Sequence, residues 1–325
     1  MTTGGPVSGV EPYAIVDVDA ELEGKSAERE EPLGTKEKFW FRRGDGDRWL
    51  FKYRRANTGE DWAERISADL AARLGLRHAQ VELATYRGER GAVVRDFTAG
   101  GTSPLVHGNE LLYAADPTYP RADFFRVREH TVESIVRVLD DLWFDADLDA
   151  ELGARLPAGV DDAVGIFTGY TLLDALIGNT DRHHENWGAV VLVRIGDERL
   201  AELAPTFDHA SSLGRELSDD ARNRKYRRPD ASFDAEKYVA KARSAIYSAA
   251  SGESPLRPIE AFRAFAELRP NAAAAWLDRL ARLDASGLRA AVEAAPVQTM
   301  SASEKELAHG ILAYARLQLL ENRGA

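Results

Sequence analysis

The chain has no cysteine and only two methionines in 325 residues. The first absence removes disulfides, thiolate metal sites and a cysteine nucleophile together, and suits a reducing compartment. Long hydrophobic runs are also missing: no stretch stays apolar over the roughly 18 residues that a membrane span requires. The opening MTTGGP has neither a basic segment nor an apolar run of the kind that makes a leader. These features predict a soluble, cytoplasmic protein with no membrane partner. Positive charge is not in excess, with 42 Lys+Arg against 53 Asp+Glu for a net −11. A general nucleic-acid-binding surface is therefore not expected, because affinity for a phosphate backbone needs clustered cations. The sequence has no G-x-S-x-G, H-E-x-x-H or H-x-H, which removes the usual signatures of serine hydrolases and zinc enzymes. His183, His184 and His209 lie close in sequence, but an adjacent pair does not chelate easily.

What is present is an ordinary apolar share, 44%, enough to bury the core of one large or two ordinary domains. The chemistry concentrates in residues 178–188, GNTDRHHENWG. Asp181 and Asn186 stand five positions apart in what reads as a loop, entered from an apolar helix predicted over 162–177 and stopped by Gly178. Further on, the approach Ala204-Pro205-Thr206-Phe207 ends in a second carboxylate, Asp208. This set suits phosphoryl transfer, which asks a protein mainly to position a hydroxyl and to neutralise phosphate charge through metal ions. Asp181 is the candidate partner of the hydroxyl, and Asn186 and Asp208 are the candidate ligands of Mg²⁺. A run over 187–195, turning at residues 196–199, reads as a hairpin that brings Asp208 opposite Asn186.

Upstream, alternating or aromatic stretches at 13–18, 38–43 and 48–54 read as strands, the last two joined through Gly44-Asp45-Gly46-Asp47. Two more strands are expected at 80–86 and 91–97. Between these pairs, Trp62, Ile66, Leu70 and Leu74 recur at helical spacing over 60–74, with Gly75 as a stop. The glycine-rich stretch 98–104 suits a crossover between lobes. Helices are expected at 131–142 and, by period, through much of 233–322. Residues 215–230 read as an activation or substrate loop carrying the basic cluster Asn223-Arg224-Lys225-Tyr226-Arg227-Arg228.

The strings N-T-D-R-H-x-x-N-W-G and F-D-x-x-x-S-L-G resemble those of the HipA-like serine/threonine kinases, and the D-R-H-x-x-N core is similar to the loop of phosphatidylinositol 3- and 4-kinases. The resemblance implies an α+β, two-lobed protein-kinase-like fold. Its small N-terminal lobe, 1–97, would be β-rich with one helix, and its larger lobe, 98–325, mostly helical. It implies a kinase using ATP and magnesium, with Asp181, Asn186 and His183 as catalytic residues and with Asn186 and Asp208 on the metal. It puts Lys52 and Glu64 together as the pair that aligns the nucleotide phosphates, with Glu60 as the second choice for the acid. Gly34, Thr35, Lys36 and Lys38 would form a divergent phosphate loop, with Thr35 as a candidate autophosphorylation switch. The backbone from Arg95 through Phe97 to Thr98 would meet adenine. The implied substrate is a Ser or Thr hydroxyl of a protein such as a translation factor or an aminoacyl-tRNA synthetase, and the implied partner is an antitoxin. The chain departs from full-length HipA by lacking an extra N-terminal subdomain before the phosphate loop, which leaves the toxin role open. Two other readings also stay open: a phosphatidylinositol or small-molecule kinase, and a nucleotide-binding pseudokinase scaffold. Arg182 reads as a salt-bridge former or as a contact for a phosphate on an activating residue, and Asp174, one turn of helix earlier, as a polar neighbour.

Overall fold

The computed structural model describes residues 9–23, 29–30, 37–44, 46–123, 126–144, 156–195, 198–216, 218–230 and 233–321. The phosphate-loop candidates Gly34, Thr35 and Lys36 lie outside these residues. The chain begins with a short strand, β1 (Ile15–Asp17), and a turn of helix, α1 (Val18–Glu21), whose first N–H groups are capped by Asp17. Strands β2 (Arg29–Glu30), β3 (Lys38–Arg42) and β4 (Arg48–Tyr53) follow, then helix α2 (Glu60–Leu74) and strands β5 (Val81–Tyr86) and β6 (Glu89–Arg95). The six strands form one sheet in the order β1-β5-β6-β4-β3-β2, antiparallel except for the parallel β1–β5 pair. Alternation in β3 and β4 turns Phe39, Phe41 and Phe51 to one buried face, where the Phe39 and Phe51 rings stack at 5.3 Å.

Helix α2 covers the span its periodicity predicts, and Gly75 closes it in the left-handed conformation (φ 73). Trp62, Ile66, Leu70 and Leu74 are fully buried, each worth about 1.5–3 kcal/mol relative to exposure. The helix starts behind Gly59, where a Cβ would collide with the Trp62 ring. Glu60, Asp61 and Glu64 are also buried, an expensive arrangement unless each carboxylate is paired.

The larger lobe opens with β7 (Leu105–His107), α3 (Gly108–Ala115) and α4 (Val132–Leu139), and then α5 (Ala163–Ile177). Every residue of α5 is buried, Asp162 caps its start and Gly178 ends it at φ 64. Strands β8 (Gly188–Ile195) and β9 (Glu198–Leu203) add to β7 to make a three-stranded antiparallel sheet. Among the described residues six helices follow: α6 (Asp219–Tyr226), α7 (Ala235–Lys241), α8 (Pro258–Leu268), α9 (Pro270–Arg282), α10 (Ala285–Glu293) and α11 (Ala302–Glu321). The main core runs through both lobes, from α2 across α5 to α9 and α11. Gly169 of α5 makes this approach fit, since a Cβ there would lie 2.6 Å from the Trp276 ring and 2.7 Å from Leu76.

Several expectations shift. The helix predicted over 131–142 stops at Leu139, with Thr131 and Ser134 forming a capping box at its start. The segment 215–230, read as a loop, contains α6, capped by Ser218. Its cations are largely held within the molecule: Arg222 pairs with Glu304 at 3.5 Å, Arg227 with Glu306 at 3.2 Å and Arg228 with Asp234 at 2.9 Å. Strand β7 and helix α3 carry no pattern strong enough to announce them; β7 has three residues, and β8 supplies its pairing.

Candidate active site

At the end of α5 the backbone leaves the helix through a tight, fully bonded turn. The Asn179 N–H donates to Asp174 O at 2.9 Å, and the Asn179 side chain donates to Asp174 Oδ1 at 2.8 Å. Asn179 Oδ1 in turn accepts from the Asp181 N–H at 3.1 Å. Asp181 is thus set at the head of the loop with its side chain 47% exposed. Arg182 points the other way, into the core. Its guanidinium grips Asp174 through two bonds, at 2.7 and 2.8 Å, and reaches Asn186 O at 2.6 Å and Thr206 Oγ1 at 3.1 Å. The buried arginine therefore ties helix, loop and the approach to Asp208 into one unit. The sequence reading of Arg182 as a salt-bridge former and Asp174 as a neighbour understates both.

Asn186 is buried, and its Nδ2 donates to Asp181 O at 2.6 Å. That bond decides the orientation of the amide and keeps Oδ1 as its acceptor end. His183 lies 3.8 Å from Asp181 Oδ1 through Nε2, while its Nδ1 accepts from the Glu185 N–H at 3.2 Å. The neutral ring thereby carries its proton on Nε2, facing Asp181. Loss of hydration lifts the Asp181 carboxyl above the usual carboxylate range; His183, a bond from Ser211 and Arg215 pull it back, and the charge of Asp208 pushes it up.

Asp208 follows β9 in the left-handed region, φ 59, a conformation that Asp tolerates better than most side chains. Its carboxylate is 37% exposed and sits 3.4 Å from Lys52 Nζ, which rises from the penultimate residue of β4. Burial pulls the lysine pKa down, but Asp208 first and Glu64 second more than offset it, so the ammonium is held charged. Glu64 also accepts the His209 N–H through Oε1 at 3.0 Å. It thus acts on Lys52 through its field and on the Asp208 segment through a hydrogen bond, a second duty that the expected lysine–glutamate pairing did not include.

His209 itself is buried and held neutral, its pKa well below the ordinary value because of burial first and the nearby Arg182 second. Its Nε2 lies 2.7 Å from Thr206 Oγ1, which also accepts from Arg182 Nη2 at 3.1 Å. Other histidines near the loop are likewise engaged. His184 bonds Tyr119 at 2.9 Å, and Trp187 Nε1 donates to His130 Nε2 at 3.0 Å. Among the described residues, no group of three or more His, Asp or Glu side chains gathers as a metal cluster. The hard oxygens of Asp208 and Asn186 are the donor types that suit Mg²⁺ rather than zinc.

The remaining candidates lie around the cleft. Lys38 stands opposite Lys52 in the β3–β4 register. Ala92 and Val94 of β6, with Phe97, Leu105, Val190 and Phe207, line an apolar wall between the two sheets, and the rings of Phe97 and Phe207 are 5.7 Å apart. The Arg95 side chain turns to Asp47 at 2.5 Å and Gln80 at 3.2 Å, and its N–H donates to Gln80 O at 2.9 Å.

The model of the HipA-like C-terminal domain family matches residues 7–276. The chain belongs to this family. Its α+β architecture is the two-lobed, kinase-like one: the crystal structure of the Helicobacter pylori proinflammatory kinase CtkA superposes with a TM-score of 0.64, covering 95% of this chain and 96% of that one at 17% sequence identity. At that identity the likeness concerns the fold. HipA of Shewanella oneidensis MR-1, solved with HipB and operator DNA, matches 93% of this chain and 66% of its own at 15% identity and a TM-score of 0.47. No curated protein sequence matches the chain. No helix among the described residues is long and apolar enough to cross a membrane.

Proposed function

We propose that this HipA-like chain is a serine/threonine protein kinase that transfers the γ-phosphoryl group of ATP with the help of Mg²⁺. The observation that carries the reading is the convergence of Asp181 and Asn186 from the loop after α5, Asp208 from the segment after β9 and Lys52 from β4, with Lys52 3.4 Å from Asp208. Asp208 and Asn186 Oδ1 would hold the metal, whose charge neutralises the phosphate oxygens when bound. Asp181 accepts the proton of the attacking hydroxyl, and it keeps enough exposure for a substrate side chain to reach it. Lys52 binds phosphate oxygens of the nucleotide. Glu64 keeps Lys52 charged and holds the backbone beside Asp208. The apolar wall around Phe97 and Phe207 suits the flat face of a purine.

Labelled γ-phosphate offered to the protein with a cell lysate, followed by phosphoamino-acid analysis, tests the reading. Label on serine or threonine that disappears with Asp181→Asn supports it. Label on inositol lipid or a small metabolite, with none on protein, replaces it with a small-molecule kinase. Nucleotide binding with no transfer anywhere leaves a pseudokinase scaffold.

A further inference from the structure

The segment that follows Asp208 does more than deliver that carboxylate. Leu213 (φ 56) and Gly214 (φ 77) are successive left-handed residues, and they turn the chain back toward the smaller lobe. A Cβ at Gly214 would lie 2.8 Å from Leu307, and its N–H donates to Tyr238 OH at 3.1 Å, so the turn rests firmly on the helical lobe. The next residue, Arg215, reaches the first turn of α2. Its carbonyl accepts the Gly59 N–H at 2.8 Å, and its Nη1 meets Glu60 Oε1 at 2.8 Å. Glu60 is buried and also receives the N–H of Arg55 at 2.8 Å and its Nη1 at 2.9 Å.

The other arm of the same guanidinium turns to the catalytic loop. Arg215 Nη2 donates to Ser211 Oγ at 2.9 Å, and Ser211 Oγ donates to Asp181 Oδ2 at 3.2 Å. The Ser211 carbonyl accepts the Thr180 N–H at 3.0 Å, so segment and loop are joined on both sides of the hydroxyl. An unbroken chain of polar contacts thus runs Glu60, Arg215, Ser211, Asp181, from the N-terminal lobe to the carboxylate that faces the acceptor. The arginine side chain is 13% exposed, little screened by solvent, and planar enough to serve two acceptors at a set angle.

We propose that Arg215 is a positioning residue that couples the N-terminal lobe to Asp181 through Ser211, so that the carboxylate is aimed at the acceptor hydroxyl only while α2 and the segment after Asp208 are docked. This rests on the kinase reading above. Arg215 acts on the reacting groups through Ser211, so its removal leaves the nucleotide contacts of Lys52 and Asp208 in place. The loss falls on turnover, because a displacement of about 1 Å in a reacting group costs on the order of 10²-fold in rate.

The test is a cycle of Glu60→Gln, Ser211→Ala and Arg215→Ala, each assayed for kcat, for KM of ATP and for thermal midpoint. Arg215→Ala is expected to lower kcat by roughly 10- to 100-fold with the KM of ATP within about twofold, and Arg215→Lys to restore part of it. Glu60→Gln and Ser211→Ala, which meet through Arg215, are expected to be non-additive in the wild-type background and additive once Arg215 is alanine. Wild-type kcat in Arg215→Ala, or additivity in both backgrounds, overturns the proposal. If Arg215→Ala does not fold, the single-arm variants Glu60→Gln and Ser211→Ala carry the comparison with Arg215→Lys. Absence of transfer by the wild type is instead a failure of the kinase reading. Amide exchange of residues 178–186 then decides the coupling, faster in Arg215→Lys if it exists and unchanged if it does not.

Discussion

Arg182 and Asp174 form a two-bond pair, Nε to Oδ2 at 2.7 Å and Nη2 to Oδ1 at 2.8 Å, with both side chains buried beneath the loop 178–188. The pair lies eight residues apart in sequence and spans the end of α5 and the loop. Asn179 bonds the same aspartate, and Thr206 the same arginine. Asp181 and Asn186 therefore sit on a rigid base although both belong to a loop.

Removing one member of that pair strands a buried charge. Asp174→Ala should cost about 3–5 kcal/mol of folding stability, read as a lower urea midpoint. A double replacement of Asp174 and Arg182 by leucine and methionine should recover much of the stability while losing transfer, because the charge cost vanishes with the pair but the bonds to Asn186 O and Thr206 go with it.

Glu64 separates two roles that a single substitution rarely divides. Glu64→Gln retains Oε1 as acceptor for the His209 N–H but removes a charge that acts on Lys52. The expected outcome is near-native stability with a raised KM for ATP. Glu64→Ala removes the acceptor as well and should cost a further 1–3 kcal/mol, roughly the cost of a buried donor left unmade. Thermal unfolding of the two variants side by side checks the difference.

Acid should destabilise the protein through its buried histidines. Burial pulls His130 down to about 3 and His184 to about 4, whereas unfolded histidine titrates at about 6.5. The unfolded chain then binds protons that the folded one refuses. Stability is complete above about pH 6.5 and falls as the pH drops below it. Urea midpoints at pH 7.5, 6.0 and 5.0 should decline in that order. His130→Gln, which cannot take up a proton, should shallow the decline, and midpoints that do not move with pH would contradict the account.

Asp208 combines an unusual backbone with the carboxylate proposed to hold the metal. Asp208→Asn keeps a side chain that tolerates φ 59, and with 37% of the side chain exposed the thermal midpoint should move little. Asp208→Ala should cost about 1 kcal/mol more for backbone reasons. Both should abolish the enhancement of nucleotide affinity by Mg²⁺, measured by calorimetry with and without the metal.

Local pattern made some of this legible in advance. Helix α2 has a four-membered apolar stripe and a glycine stop, and the loop after α5 has a string with few other uses, so Trp62 to Leu74 and Asp181 to Asn186 could be read directly. Strand β7 and α6 could not: the first is three residues that exist through their pairing with β8, and the second is a polar helix held by a Ser218 cap and by tertiary ion pairs. The wider network is invisible for a different reason. Glu60 and Arg215 are 155 residues apart, as Lys52 and Asp208 are also remote in the chain, and no periodicity encodes which distant charges meet. The nearest signal was the F-D-x-x-x-S-L-G string itself, whose Ser212, Leu213 and Gly214 build the turn that sends Arg215 back to α2.

Asp181 is proposed to serve the transfer of phosphate and not the binding of nucleotide. The most direct measurement is γ-phosphate transfer by the wild type and by Asp181→Asn at equal, saturating occupancy by ATP with Mg²⁺. The account predicts equal nucleotide affinity with transfer lower by about 10²–10⁴-fold in the variant. Equal rates in the two proteins, or a loss of affinity that explains the lost transfer, would contradict it.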